Sequence, residues 1–158
     1  MAEFINTIDL LGEEATIDGI IDGSITEFYD NELSVLGVHA FSATHIESVK
    51  LPSVTYVDRN AFWSCWDLKW LEFSEQVWFG NYSLYAVNSL RTLILRSEMM
   101  CKIGVNAMPK VCYIYVPKAL IEDYKADTAW SVYADQFRAL EDYTVDGTIT
   151  GELDESKI

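Results

Sequence analysis

Two histidines, three cysteines and a large excess of carboxylates are the side chains that could do chemistry in this chain of 158 residues. His39 and His45 do not have the spacing of an HExxH zinc helix. Cys65, Cys101 and Cys112 are odd in number and contain no CxxC pair, so neither a disulfide framework nor a zinc site is expected. They read instead as small buried hydrophobes. A Cys65–histidine dyad would require the fold to bring the two together. No GxSxG elbow, P-loop or GxGxxG occurs. Asp18, Asp22 and Asp30 could converge on calcium, but without EF-hand spacing. Asn81-Tyr82-Ser83 matches a glycosylation sequon by chance. A pair of glycosidase carboxylates would have no deep insertion loop to sit in. The expectation is a protein that is not an enzyme and carries no cofactor or metal.

Charge excludes further classes. Acids outnumber Lys and Arg 25 to 11, for a net charge of -14. Phosphate binding needs clustered bases, so nucleic acid is not an expected partner. An anionic membrane surface is disfavoured for the same reason. No apolar run approaches the roughly 20 residues of a membrane span. The start carries Glu3, Asp9, Glu13 and Glu14 and no basic region, unlike a secretory signal peptide, so a chain cytoplasmic as synthesised, with association with a virion as a further option, is expected. With 50% hydrophobic and 13% aromatic residues the chain can nonetheless bury a sizeable core.

A repeat organises that core. LGVHAF (36–41), VDRNAF (57–62), FGNYSL (79–84) and IGVNAM (103–108) share an apolar first residue, a small fifth residue and a large apolar sixth. Gly37, Asp58, Gly80 and Gly104 stand second, where a tight turn is expected. Downstream, Val49/Leu51, Leu71/Phe73, Leu93/Leu95 and Ile114/Val116 alternate with period two, at offsets of 22, 22 and 21 residues. Ile46, Leu68, Leu90 and Val111 precede them in step. Period two means a short strand, and a repeat of about 22 residues means stacked coils that bury a continuous core between them.

The block apolar-Gly-x-x-Ala-Phe, followed by Cys65 and Leu-x-x-Leu-x-Phe, resembles the BspA-like (Treponema-type) leucine-rich repeats. It is clearest in VDRNAFWSCWDLKWLEF (57–73) and LGVHAFSATHIESVKLP (36–52). The third block departs from it at Ser83-Leu84 and Val87, and the fourth is shortened around Pro109. The resemblance, to proteins of gut Firmicutes and their prophages, implies a non-catalytic surface that binds macromolecules, either in cell-surface adhesion or in a virion-associated protein.

The fold class expected is therefore β-rich α+β: a leucine-rich-repeat solenoid of about four coils over residues 1–143, with repeats over about 33–117. A β-type N-terminal cap is read in Ile17 to Phe28. A helical cap over about 117–138 is read from KALIEDYKAD after Pro117 and from a second helix over Ala129 to Phe137, whose Trp130, Tyr133 and Phe137 seal the last coil. Residues 144–158 form an acidic tail. Residues between core positions of each ladder strand point outward. These are Ser48, Trp70, Thr92 and Tyr113 in one column, and Lys50, Glu72, Ile94 and Tyr115 in the next. Trp63 and Trp66 fall on the bend after Phe62, and Trp78 precedes Phe79. The expected partner site is thus an exposed patch of Trp63, Trp66, Trp70, Trp78, Tyr113 and Tyr115, taking a protein or a glycan. The alternative is a structural subunit in which these aromatics pack against other copies in a homo-oligomer.

Overall fold

A computed structural model describes residues 4–5 and 26–142. The expected tail, Asp18 and Asp22, and most of the expected N-terminal cap lie outside the described residues. Eleven strands are found among those described: β1 (Phe4–Ile5), β2 (Glu27–Tyr29), β3 (Val35–Leu36), β4 (Ser48–Leu51), β5 (Tyr56–Val57), β6 (Trp70–Phe73), β7 (Trp78–Phe79), β8 (Thr92–Leu95), β9 (Lys102–Ile103), β10 (Tyr113–Val116) and β11 (Phe137–Ala139). From β2 to β10 the chain alternates between two sheets. One has the order β1-β3-β5-β7-β9 and the other β11-β10-β8-β6-β4-β2. Every pairing is parallel.

The register follows the sequence repeat. Val49 pairs with Leu71, Leu71 with Leu93, and Leu93 with Ile114. Leu51 pairs with Phe73, and Phe73 with Leu95. These side chains and Val116 have no exposed surface and belong to one cluster with Phe41, Phe62, Leu84 and Met108. Fully burying one such side chain stabilises by roughly 1.5–3 kcal/mol, whereas an exposed ion pair contributes about 0–1. The inward columns, not surface pairs such as His45–Asp67 at 3.0 Å, therefore hold the coils together.

Three details differ from expectation. The first is the fourth member of the leading column. Cys112 is buried there, while Val111 is half exposed. The shortened stretch after Met108 moves the column by one residue, and both candidates are apolar. The second is the role of the glycines at the block's second position. A Cβ on Gly104 would strike Asn81 Oδ1 and lie 2.8 Å from Asn81 N. On Gly80 it would lie 3.3 Å from the Val57 carbonyl oxygen. These glycines permit close approach of neighbouring coils. The left-handed backbone falls two residues later, at His39, Asn60, Tyr82 and Asn106, and again at Ala43, Ser64 and Ala86. Hydrogen bonds between coils hold these bends, as from Ala43 N–H to Trp63 O (2.8 Å) and from Asn60 N–H to Tyr82 O (3.1 Å).

The third difference is the end of the array. Pro117 does precede helical structure, a 3-10 turn at Lys118–Leu120 that runs into α1 (Ile121–Ala126). The expected second helix is a 3-10 segment, Ser131–Gln136, and Phe137 then enters β11, which extends the larger sheet beside β10. Trp130, Tyr133 and Phe137 are buried on the core together with Tyr124. Trp130 Nε1–H donates to Cys101 O at 2.9 Å, and the Cys101 N–H donates to Tyr124 Oη at 2.8 Å.

Candidate binding surface

The six aromatic candidates separate into two groups. Trp70, Tyr113 and Tyr115 stand at outward positions of the larger sheet, as the alternation requires. That face is nevertheless closed to water. Trp70 is 5% exposed and Tyr115 2%, and both pack with fully buried Ile94. Tyr113 is half-buried under the Arg138 guanidinium, 4.2 Å from its ring centroid. The expectation of an exposed ladder patch is thus corrected. Strand alternation sets which side of a sheet a residue takes, but not whether that side meets solvent. In the same columns Ser48, Glu72 and Thr92 are buried too.

Glu72 explains how a carboxylate tolerates that burial. Arg96 Nη2–H donates to Oε1 at 3.1 Å, and Arg96 Nε makes an ion-pair contact with Oε2 at 3.1 Å, although Oε2 accepts no hydrogen bond among the described residues. Lys50 Nζ adds a cation 3.4 Å from Oε2. Two cations and one charge-assisted hydrogen bond offset the cost of burying this group.

Trp63, Trp66 and Trp78 are the exposed group, at 42%, 75% and 48%. Trp78 lies on β7 of the smaller sheet, with Lys102 Nζ 5.8 Å from its ring centroid. Trp63 and Trp66 share the bend after Phe62. The next coil places Tyr85 at the position equivalent to Trp63, and Tyr82 beside it. Both tyrosines are exposed, and their rings meet edge to face at 5.3 Å. Sequence reading missed Tyr82 and Tyr85. The 22-residue spacing of Trp63 and Tyr85 was the available signal. Trp63, Trp66, Tyr82 and Tyr85 therefore form an aromatic surface on two consecutive bends, held rigid by backbone bonds between coils such as Asn60 N–H to Tyr82 O.

The reactive side chains are engaged elsewhere. The Cys65 thiol donates to Phe41 O at 2.9 Å and lies 3.6 Å from Thr44 Oγ1. Burial pushes its pKa up to about 11, and that of Cys112 up to about 12. Burial raises Cys101 as well. Desolvated thiols of this kind are poor nucleophiles at neutral pH. His39 Nδ1 is 2.9 Å from Ser42 Oγ, and His45 faces Asp67 in the next coil. Asp30, expected as a possible calcium ligand, uses Oδ1 to accept the backbone N–H groups of Glu32 and Leu33. No group of three potential metal-ligating side chains occurs among the described residues. No helix among them is long and apolar enough to cross a membrane.

A stack of parallel strands on a 22-residue period, with a small-residue bend in each coil, defines a leucine-rich-repeat protein. Residues 24–117 match the BspA type leucine rich repeat region in six copies, and the chain belongs to that family. The six copies stand against the four regular coils counted from the spacing alone. No curated protein and no solved structure matches the chain.

Proposed function

We propose that this is a non-catalytic protein-recognition module whose contact surface is the aromatic bend of Trp63, Trp66, Tyr82 and Tyr85, flanked by Trp78. The observation that carries this reading is Trp66, 75% exposed on a bend anchored by its neighbours. A rigid surface carrying exposed Trp and Tyr suits binding, because these residues supply most hot-spot energy and lose little entropy on being held. In this reading four regular coils present the bends, and the segment from Lys118 to Ala139 closes the far end. The family supports a protein partner. A glycan ligand, a prophage or adhesion setting and a cytoplasmic location rest on the sequence resemblance and on the early acidic residues alone.

The test begins with a photo-crosslinking amino acid at position 67 of the full chain, beside Trp66 and leaving all four aromatics in place, used to identify the protein held there. That protein is then purified and its Kd measured by calorimetry against the native chain and against Trp66→Ala and Tyr85→Ala. Each variant is expected to weaken binding at least about 30-fold, the effect of losing one hot-spot residue. An unchanged Kd for both would reject the bend as the site. Self-assembly through the same aromatics would appear instead as crosslinks between copies of this chain and as concentration-dependent light scattering.

A further inference from the structure

The segment after Pro117 finishes the last coil but leaves one edge of it open. In the larger sheet β11 pairs with β10 and supplies the next strand. Elsewhere on the coil, Cys101 O accepts Trp130 Nε1–H at 2.9 Å, and Gln136 Nε2–H donates to Pro109 O (3.1 Å) and Cys112 O (2.8 Å). These side chains do what the backbone of a further coil would do. The end strand of the smaller sheet, β9, has no such cover. Lys102 N–H and Gly104 N–H donate toward β7, at Val77 O (2.9 Å) and Phe79 O (2.8 Å). Alternate residues of a parallel strand bond to opposite neighbours, so the N–H and C=O of Ile103 point away from β7. They have no hydrogen-bond partner among the described residues. The side chains follow suit. Leu36, Val57 and Phe79 pair in register with no exposed surface, whereas Ile103, next in that row, is only half-buried. Beside it lies a cavity of about 370 Å³, open to solvent and lined by Ile103, Gly104, Val105, Ala129, Val132 and Tyr133. Val105 and Val132 are 60% and 64% exposed.

We infer that this edge takes an extended segment of a partner protein, which adds to the smaller sheet as a strand beside β9 and places an apolar side chain in the cavity. Three observations select that occupant. The first is the pair of polar groups left over, one backbone N–H and one C=O on the same side of one residue. An extended backbone satisfies both, as in strand addition to other sheet edges. The second is the row Leu36, Val57, Phe79 and Ile103, whose continuation into the cavity is apolar. A space of about 370 Å³ lies at the lower end of the roughly 300–1,000 Å³ of ligand pockets, and suits side chains of a strand better than a folded element. The third is charge. The chain carries -14, and Asp127 and Asp135 bracket the stretch that supplies Ala129, Val132 and Tyr133 to the cavity. A segment whose apolar residue is flanked by Lys or Arg is therefore drawn to it. This inference does not depend on what binds the aromatic bend.

The experiment uses the ¹⁵N-labelled full chain, with the peptide acetyl-Lys-Thr-Val-Ile-Val-Thr-Lys-amide added to millimolar concentration. The expected result is a shift of the Ile103 and Val105 amide signals and slower hydrogen exchange at Ile103, while Trp63 and Trp66 on the bend stay in place. No shift at Ile103, or shifts confined to the bend, overturns the inference. Two further peptides carry a single N-methyl group, on the Ile or on the Val after it. Alternate residues of a strand face the edge, so one of the two should bind at least about 10-fold more weakly and the other nearly as well as the parent. Equal affinity of the two overturns strand addition. Val132→Asp, a change at an exposed position, should also weaken the parent peptide at least about 10-fold, and unchanged binding overturns the use of the cavity. A shift of Ile103 on concentrating the chain alone would give the edge to a second copy and equally overturn the inference. None of these outcomes touches the Kd measurements that judge the bend.

Discussion

Phe41 and Phe62 stack in parallel, with ring centroids 5.1 Å apart and planes inclined by 1°. They are the same residue of consecutive coils, and neither has exposed surface. The pair shows the repeat acting through packing: each ring is the floor for the next. Phe62→Ala would open a cavity between two coils that backbone bonds keep from collapsing, such as Phe41 N–H to Ala61 O at 2.7 Å. We predict a loss of about 3–5 kcal/mol in chemical denaturation, at the level of other large-to-small core changes. Leu84→Ala, in the same column, should cost about 2–5 kcal/mol.

Arg96 supports Glu72, a carboxylate that has no exposed surface, through one hydrogen bond to Oε1 and an ion pair to Oε2. Arg96→Met leaves Glu72 with Lys50 as its remaining described cation. The variant should lose about 1.5–3 kcal/mol, the value of hydrogen bonds to a charged group. Arg96 is itself partly exposed, which places the expectation at the lower end of that range. A stability change below about 0.5 kcal/mol by urea titration would contradict the role assigned to Arg96.

The thiols give a pH dependence of definite sign. Burial raises Cys65 from 9.0 to about 11 and Cys112 from 9.0 to about 12. Above the unfolded value the native state therefore holds protons that the unfolded chain releases. Their contribution is fully present below pH 9 and is lost as pH rises through 9 to 11 for Cys65, and to 12 for Cys112. Stability should fall across that window by up to about 1.4 kcal/mol per pH unit for each thiol. Cys65→Ser/Cys112→Ser should flatten this alkaline slope, as followed by urea midpoints between pH 8 and about pH 10.5. Thiol reagents at neutral pH should label the native chain only as fast as it unfolds.

The left-handed bends suggest an improvement. Ala86 is exposed and has φ 64°. A left-handed residue with a Cβ costs about 1–2 kcal/mol, and glycine returns about 0.5–1 of that through unfolded-state entropy. Ala86→Gly is therefore expected to stabilise by up to about 1 kcal/mol, read as a rise in thermal midpoint. A drop of similar size would show that the bend does not carry this strain.

The stacking of Leu51 on Phe73 and Leu95 was legible from sequence, because the spacing of apolar residues is itself the physical cause of the register. The burial of Cys65 was legible for the same reason. Other features depend on partners distant in the chain. Trp70 was correctly placed on the outward face, but its burial is decided by whatever lies over the sheet. Val111 is expected in the leading column where Cys112 stands, because a small deletion leaves no mark where adjacent residues are both apolar; the burial of Cys112 itself is as expected. Asn60 and Asn106 are usual left-handed residues, but Tyr82 at the equivalent position and Ala43 and Ala86 on the second bend are not, so composition reveals only part of those bends.

The division of the tryptophans into an available bend and a covered ladder is the claim on which the functional reading stands. Hydroxyl-radical footprinting of the native full chain, read residue by residue by mass spectrometry, tests it most directly. Trp66 should oxidise fastest, Trp63 and Trp78 at intermediate rates, and Trp70 as slowly as Trp130. Oxidation of Trp70 at the rate of Trp66 would contradict the account and return the binding surface to the ladder.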